Sequence, residues 1–219
     1  YTEGSWRIPA IYLNDWPDRY IHTNYDLPAH IDPTKLKRAA FIAAASGYYL
    51  AGAEGALPVW PVVQAQMMRR AARMMERRTA LPPDEAANLT RFFLAYERGV
   101  AASIPHATDF VDHLARLLGA APAPPAAGVV YTRHPQIKGP MSVFGYDYFT
   151  DHYGRERGRN IRLLRIDGPY AYEALNFVDG RRTIQEIRDA LSAAYGPVPL
   201  DAVEEYLRAL ESIGVIQKK

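Results

Sequence analysis

The chain has no cysteine, so no disulfide staples it and no thiolate can bind a metal or act as a nucleophile. No apolar run approaches the roughly 18 residues needed to span a bilayer. The opening residues do not have the layout of a secretory leader, which in a chain that begins inside a domain says nothing about export. Neither sign of charge dominates: 26 Lys and Arg stand against 24 Asp and Glu, a formal +2. That balance gives no electrostatic argument for nucleic acid. What is present is 219 residues with 48% hydrophobic content, enough for one or two domains with a buried core.

Ile8, Ala10, Ile11, Tyr12 and Leu13 form a short apolar run with the length and β-propensity of a buried strand. Asn14, Asp15 and Pro17 break it, and in open α/β sheets ligands collect beyond the carboxyl ends of strands. The loop that follows carries His22, flanked by Thr23 and, four residues on, Asp26. A neutral imidazole on a strand-anchored loop is a good metal ligand, because the backbone fixes where its nitrogen points. By itself, a lone loop histidine is more often a hydrogen-bonded surface residue.

The runs I-P-A-I-Y-L, from Ile8, and I-H-T-N-Y-D, from Ile21, resemble the last segment of two-zinc aminopeptidases, the relatives of glutamate carboxypeptidase and of bacterial leucyl and aminopeptidase S enzymes. In that family a G-I-P-A strand leads to an H-T-x-x-D loop whose His is the final zinc ligand. The resemblance implies that His22 holds one zinc, with Thr23 and Asp26 shaping the loop around it. Many relatives place a Tyr directly before this His to support the oxyanion; Ile21 stands there instead, and Tyr20 or Tyr25 is the substitute. The resemblance further implies two zinc ions that lower the pKa of a bound water, and a Glu that takes its proton. The family's other ligands, an early His-x-Asp, a bridging Asp, a Glu-Glu pair and a later acid, do not accompany His22. Glu204-Glu205 falls inside an amphipathic helix pattern. The expected protein is therefore the C-terminal portion of a zinc-dependent aminopeptidase, inactive alone. It would be completed by the upstream part of the domain, in the same chain or another, and would act on peptides outside the cytoplasm, in an extracellular or periplasmic setting. A homo-oligomer is compatible with this.

The expected fold class is mixed α/β. Residues 1–55 read as the end of the zinc-peptidase domain: strand, His loop, and a packing helix over Thr34 to Leu50 entered through Pro33. Residues 56–118 read as a helical region. Val62 to Arg78 has Val63, Met67, Ala71, Met74 and Met75 on one face and arginines opposite. A second helix, capped by Asp84, runs to about Ala102 with Phe92, Phe93, Tyr96 and Val100 apolar, and a third begins at Thr108 and stops at Gly119. His106, Asp109 and His113 lack the i, i+4 pair of histidines that a helical zinc site shows; Asp109 suits the positive helix N-terminus.

Residues 119–165 read as a Pro-Ala linker (Gly119 to Ala127) and then an aromatic segment without steady period, folded back on the peptidase domain. His134, Asp147, Asp151 and His152 lie in it as conceivable ligands. Ile161 to Ile166 reads as a strand. Residues 166–219 read as a winged-helix-like α+β domain, with a capping box at Thr183-Ile184-Gln185-Glu186, a helix over Leu200 to Ser212, and a last strand from Val215. N-F-V-D-G-R-R-T-I-Q-E-I and Y-L-R-A-L-E-S-I-G-V-I resemble the small winged-helix modules similar to the peptide chaperone of pyrroloquinoline-quinone biosynthesis. Asp201, Glu204, Glu205 and Glu211 against Arg208 make the candidate recognition helix acidic, which repels DNA. The alternative to the peptidase is a non-catalytic interaction or assembly subunit, or a peptide-binding winged-helix protein.

Overall fold

The computed structural model describes residues 3–6, 8, 10–14, 17–52, 59–102, 104, 107–120, 128–143 and 145–219. The fold is mixed and dominated by helices, with two small antiparallel sheets. No helix among the described residues is long and apolar enough to cross a membrane. The chain divides into two compact units, Ala10–Pro61 and Tyr1–Pro9 with Val62–Lys219.

In the unit Ala10–Pro61 the main element is α1 (Pro33–Gly52). Pro33 sits at its first position, where the missing N–H costs nothing. Asp32 accepts from the backbone N–H groups of Thr34 (2.8 Å) and Lys35 (3.3 Å). Those two donors hold the Asp32 carboxyl below its ordinary pKa. None of the α1 residues is buried. The expected strand is also corrected: Ile8 and residues 10–13 adopt no strand, and their side chains are exposed. A strand needs a neighbour to receive its N–H and C=O groups, and neither sheet among the described residues includes this run.

The second unit is built on two layers of helix. α2 (Trp60–Thr79) buries Met67, Ala71 and Met74, a stripe at spacings of four and three. Met75, expected in that stripe, is exposed. α3 (Pro83–Ala101) buries Leu89, Phe93 and Leu94, while Tyr96 faces solvent. Its N-cap is Pro82; Asp84 lies inside the first turn, where its charge faces the positive helix end. Arg70 of α2 grips Glu97 of α3 with two hydrogen bonds, of 2.6 and 2.8 Å, and the Glu97 side chain is fully buried. α3 packs on α4 (Ala107–Leu117), which buries Val111 and Leu114.

The aromatic segment is not an irregular wrap but part of the C-terminal core. It contributes β1 (Tyr131–Arg133), the hairpin strands β2 (Ser142–Val143) and β3 (Tyr146–Asp147), and the short helices α5 (Tyr148–Tyr153) and α6 (Arg155–Arg159). Ile161 to Ile166 is a 3-10 turn over Arg162–Arg165 rather than a strand. Arg162 is anchored to Asp201 (2.7 Å) and Glu205 (3.0 Å), and Ile161 and Leu163 point inward. α7 (Tyr170–Asn176), α8 (Ile184–Tyr195), α9 (Leu200–Ser212) and β4 (Ile216–Lys218) complete the unit.

The Thr183–Glu186 capping box is fully formed at the start of α8. β4 returns to pair antiparallel with β1, Tyr131 opposite Lys218 and Arg133 opposite Ile216. Gly180 turns the chain below this ladder at φ 78°, and a Cβ there would meet the Thr132 methyl at 3.1 Å. Tyr131, Phe149, Ile187, Leu191, Tyr206 and Leu210 are buried together. α3 packs on α8, so the helical region and this core belong to one unit.

Candidate functional site

The loop that carries His22 is fastened by its own side chains. Asp18 Oδ1 accepts from the backbone N–H of Tyr20 (2.9 Å) and Ile21 (3.1 Å). The Thr23 hydroxyl donates to the Tyr20 carbonyl at 2.6 Å and accepts from the Tyr25 N–H at 3.1 Å. The Asp26 N–H donates to the Thr23 carbonyl at 3.2 Å. Short polar side chains bonding to nearby backbone in this way replace a regular ladder with a turn. Tyr20, half-buried, stacks on His30 with ring centroids 4.1 Å apart, and His30 Nδ1 donates to the Tyr25 carbonyl at 2.6 Å.

Between these turns His22 has φ 62°, the only described non-glycine residue with positive φ. A side chain there is unfavourable by order 1 kcal/mol or more, and such residues cluster at functional sites. His22 is exposed, as are Thr23 and Asp26. Tyr20, Asp26 and His30 line a cavity of about 610 Å³ with Lys35, Arg38 and Ile42 of α1. His22 lies outside that lining. Among the described residues, no three His, Asp or Glu side chains gather as a metal ion would require. A catalytic zinc takes three protein ligands, so the residues described here do not by themselves fit one.

The other candidates are dispersed. His106 lies outside the described residues. Asp109 is in the first turn of α4, and His113 is exposed on the same helix. Asp147 caps α5 by accepting from the Thr150 N–H at 3.0 Å. His152 stacks on Tyr148 and donates through Nδ1 to its carbonyl at 2.8 Å. His134 accepts through Nδ1 from the Gln136 N–H at 3.3 Å. Asp147, His152 and His134 are thus each engaged in local hydrogen bonds.

Sequence reasoning missed a second constellation altogether. Residues 3–6 lie as a tight turn, closed by the Trp6 N–H donating to the Glu3 carbonyl at 3.1 Å, against the C-terminal core of their own unit. Glu3, buried, pairs with Arg133 of β1 and accepts from the Ser5 hydroxyl. The Gly4 N–H donates to Asn176 Oδ1 at 2.8 Å, and a Cβ on Gly4 would sit 3.1 Å from the Asn176 carbonyl oxygen. Ser5 Oγ accepts from the Gly139 N–H at 3.0 Å, and Lys138 Nζ lies 5.1 Å from the centre of the Trp6 ring. Arg133 also donates through Nε to the Ile137 carbonyl at 3.1 Å, so one guanidinium joins three segments. The partners are at least 130 positions apart, and no local sequence pattern announces such a pairing. No family model, no curated protein and no solved structure matches this chain.

Proposed function

We propose that the chain is the C-terminal portion of a zinc-dependent aminopeptidase and supplies His22 as one metal ligand. The observation that carries this is the uncovered apolar surface of Ala10–Pro61. Ile11 is 74%, Phe41 72% and Leu50 83% exposed, and α1 buries nothing along its 20 residues. An apolar run without a ladder and an apolar helix without a floor are the two halves of a sheet-and-helix layer whose remaining strands come from elsewhere. The strained backbone at His22, in a loop fastened by Asp18 and Thr23, supports the same reading. The zinc ions would supply the acidified water; this chain's own part is to aim the imidazole, with Thr23 and Asp26 shaping the loop and Tyr20 beside it. The test compares zinc content and aminoacyl-nitroanilide hydrolysis for this chain alone and for the chain joined to the sequence encoded ahead of it. The chain alone should show neither, the joined protein both, and His22→Ala in the joined protein should lose activity. A joined protein without zinc or activity rejects the assignment.

A second reading, a peptide-contact role for the winged-helix-like C-terminal region, is favoured by the docked segment Glu3–Trp6. That surface already holds one short turn of peptide through a buried ion pair and two hydrogen bonds, Gly4 N–H to Asn176 Oδ1 and Gly139 N–H to Ser5 Oγ. Nucleic acid is disfavoured by α9, whose Asp201, Glu204, Glu205 and Glu211 outnumber Arg208 and the neighbouring Arg162. A gel shift at low salt should show no duplex DNA retained.

A further inference from the structure

Between α2, α3 and α8 lies a cavity of about 330 Å³. Its floor is Met74, Leu89, Phe92 and Phe93, and three arginines of α2, Arg70, Arg73 and Arg77, stand over it at spacings of three and four. Two of the three are committed. Arg70 holds the buried Glu97, and Arg77 donates to the Ala193 carbonyl at 2.9 Å, at the end of α8. Arg73 has no partner among the described residues and is exposed. The rim therefore carries three positive charges against the single negative charge of Glu97.

From this we infer that the cavity binds an aliphatic monocarboxylate, its tail on the apolar floor and its carboxylate on Arg73. The charge of the rim selects an anion, and a planar guanidinium presents paired N–H groups that match a carboxylate. One uncommitted guanidinium balances one negative charge. The floor selects the tail. It is made of side chains from helix interiors, whose backbone groups are already bonded within their helices. The Ala193 carbonyl at the edge is occupied by Arg77. A peptide in this cavity would bury amides with no partner, at a cost of about 1–3 kcal/mol each, whereas methylene groups need none. The volume lies at the small end of ligand cavities, and the flexible Met74 thioether can adjust to a chain of varying length.

The test is calorimetry on the whole chain with dodecanoate, below its micelle-forming concentration, together with the methyl spectrum of the protein labelled at methionine. Dodecanoate should bind at one per chain and shift the Met74 methyl resonance. Arg73→Ala, a change at an exposed position, should weaken binding by at least about tenfold, the worth of a hydrogen bond to a charged group. Dodecanol should bind more weakly by a similar factor. Absence of saturable binding overturns the inference, as does an Arg73→Ala protein that binds dodecanoate unchanged. Tighter binding of dodecyl phosphate, or of an apolar peptide with a free C-terminal carboxylate, overturns the choice of ligand.

Discussion

Burial alone would lift the Glu3 carboxyl above its ordinary pKa, but the Ser5 hydroxyl and the Arg133 guanidinium together bring it below. A carboxyl depressed in the folded state contributes stability at pH values above its unfolded pKa, about 4.3, and loses it as pH falls through the lower, folded value. Arg133→Met removes the cationic partner and leaves the burial opposed by Ser5 alone, so the depression shrinks and the charged carboxylate is held less firmly. Losing the pair should cost about 1–3 kcal/mol, the penalty of a buried polar group left short of a partner. Hydrogen exchange at the Gly4 and Gly139 amides reads this directly. Both should be protected at pH 7, lose protection in acid, and have little at any pH in Arg133→Met. Unchanged protection in the variant would mean that Gly4–Asn176 and Ser5–Gly139 hold the segment without the ion pair. Nothing at this scale was legible beforehand, because Glu3 and Arg133 meet only after the chain between them has folded.

At the scale of elements, the join between α2 and α3 turns on a carboxylate with no access to water. Glu97 is fully buried and Arg70 is its partner. Arg70→Met should cost about 3–5 kcal/mol, the penalty of an orphaned buried charge. The double variant Arg70→Met, Glu97→Leu should recover most of that, since an apolar pair of similar volume needs no compensation. Urea unfolding of both proteins checks it; equal losses in the two would show that Arg70 acts through packing rather than charge.

Amphipathic spacing and the capping box made α2, α8 and α9 readable, because a helix is specified by residues three and four apart. Elements that depend on remote partners were misread. Ile161 to Ile166 has the apolar content of a strand, but no strand is there to receive it, and Arg162 is drawn to the acidic face of α9. Tyr131–Arg133 gave no periodic signal, yet pairs with a strand some 85 positions away. That His22 lies in a loop was legible from the sequence; its positive φ was not, since any residue's side chain disguises the backbone beneath it.

Across the whole chain the two units differ in what holds them. In Tyr1–Pro9 with Val62–Lys219, apolar side chains from α5, α7, α8, α9, β1 and β4 share one buried cluster, and each large one contributes roughly 1.5–3 kcal/mol by leaving water. In Ala10–Pro61, α1 buries no side chain. In proteins most of a helix's stability comes from packing one face against the rest of the fold, and α1 lacks that support. Hydrogen exchange should therefore fall into two classes. Amides of α8 and α9 should exchange only with global unfolding, whereas those of α1 should exchange close to the rate of an open peptide. The same asymmetry gives the peptidase proposal a readout independent of activity. On that proposal, joining the upstream part of the domain would give α1 a floor for Phe41, Ile42 and Leu50, and its amides should slow by orders of magnitude. If α1 is already as protected as α8 in this chain alone, its apolar face is covered by something within the chain or by a second copy, which sedimentation would reveal. The uncovered surface would then no longer support a missing sheet.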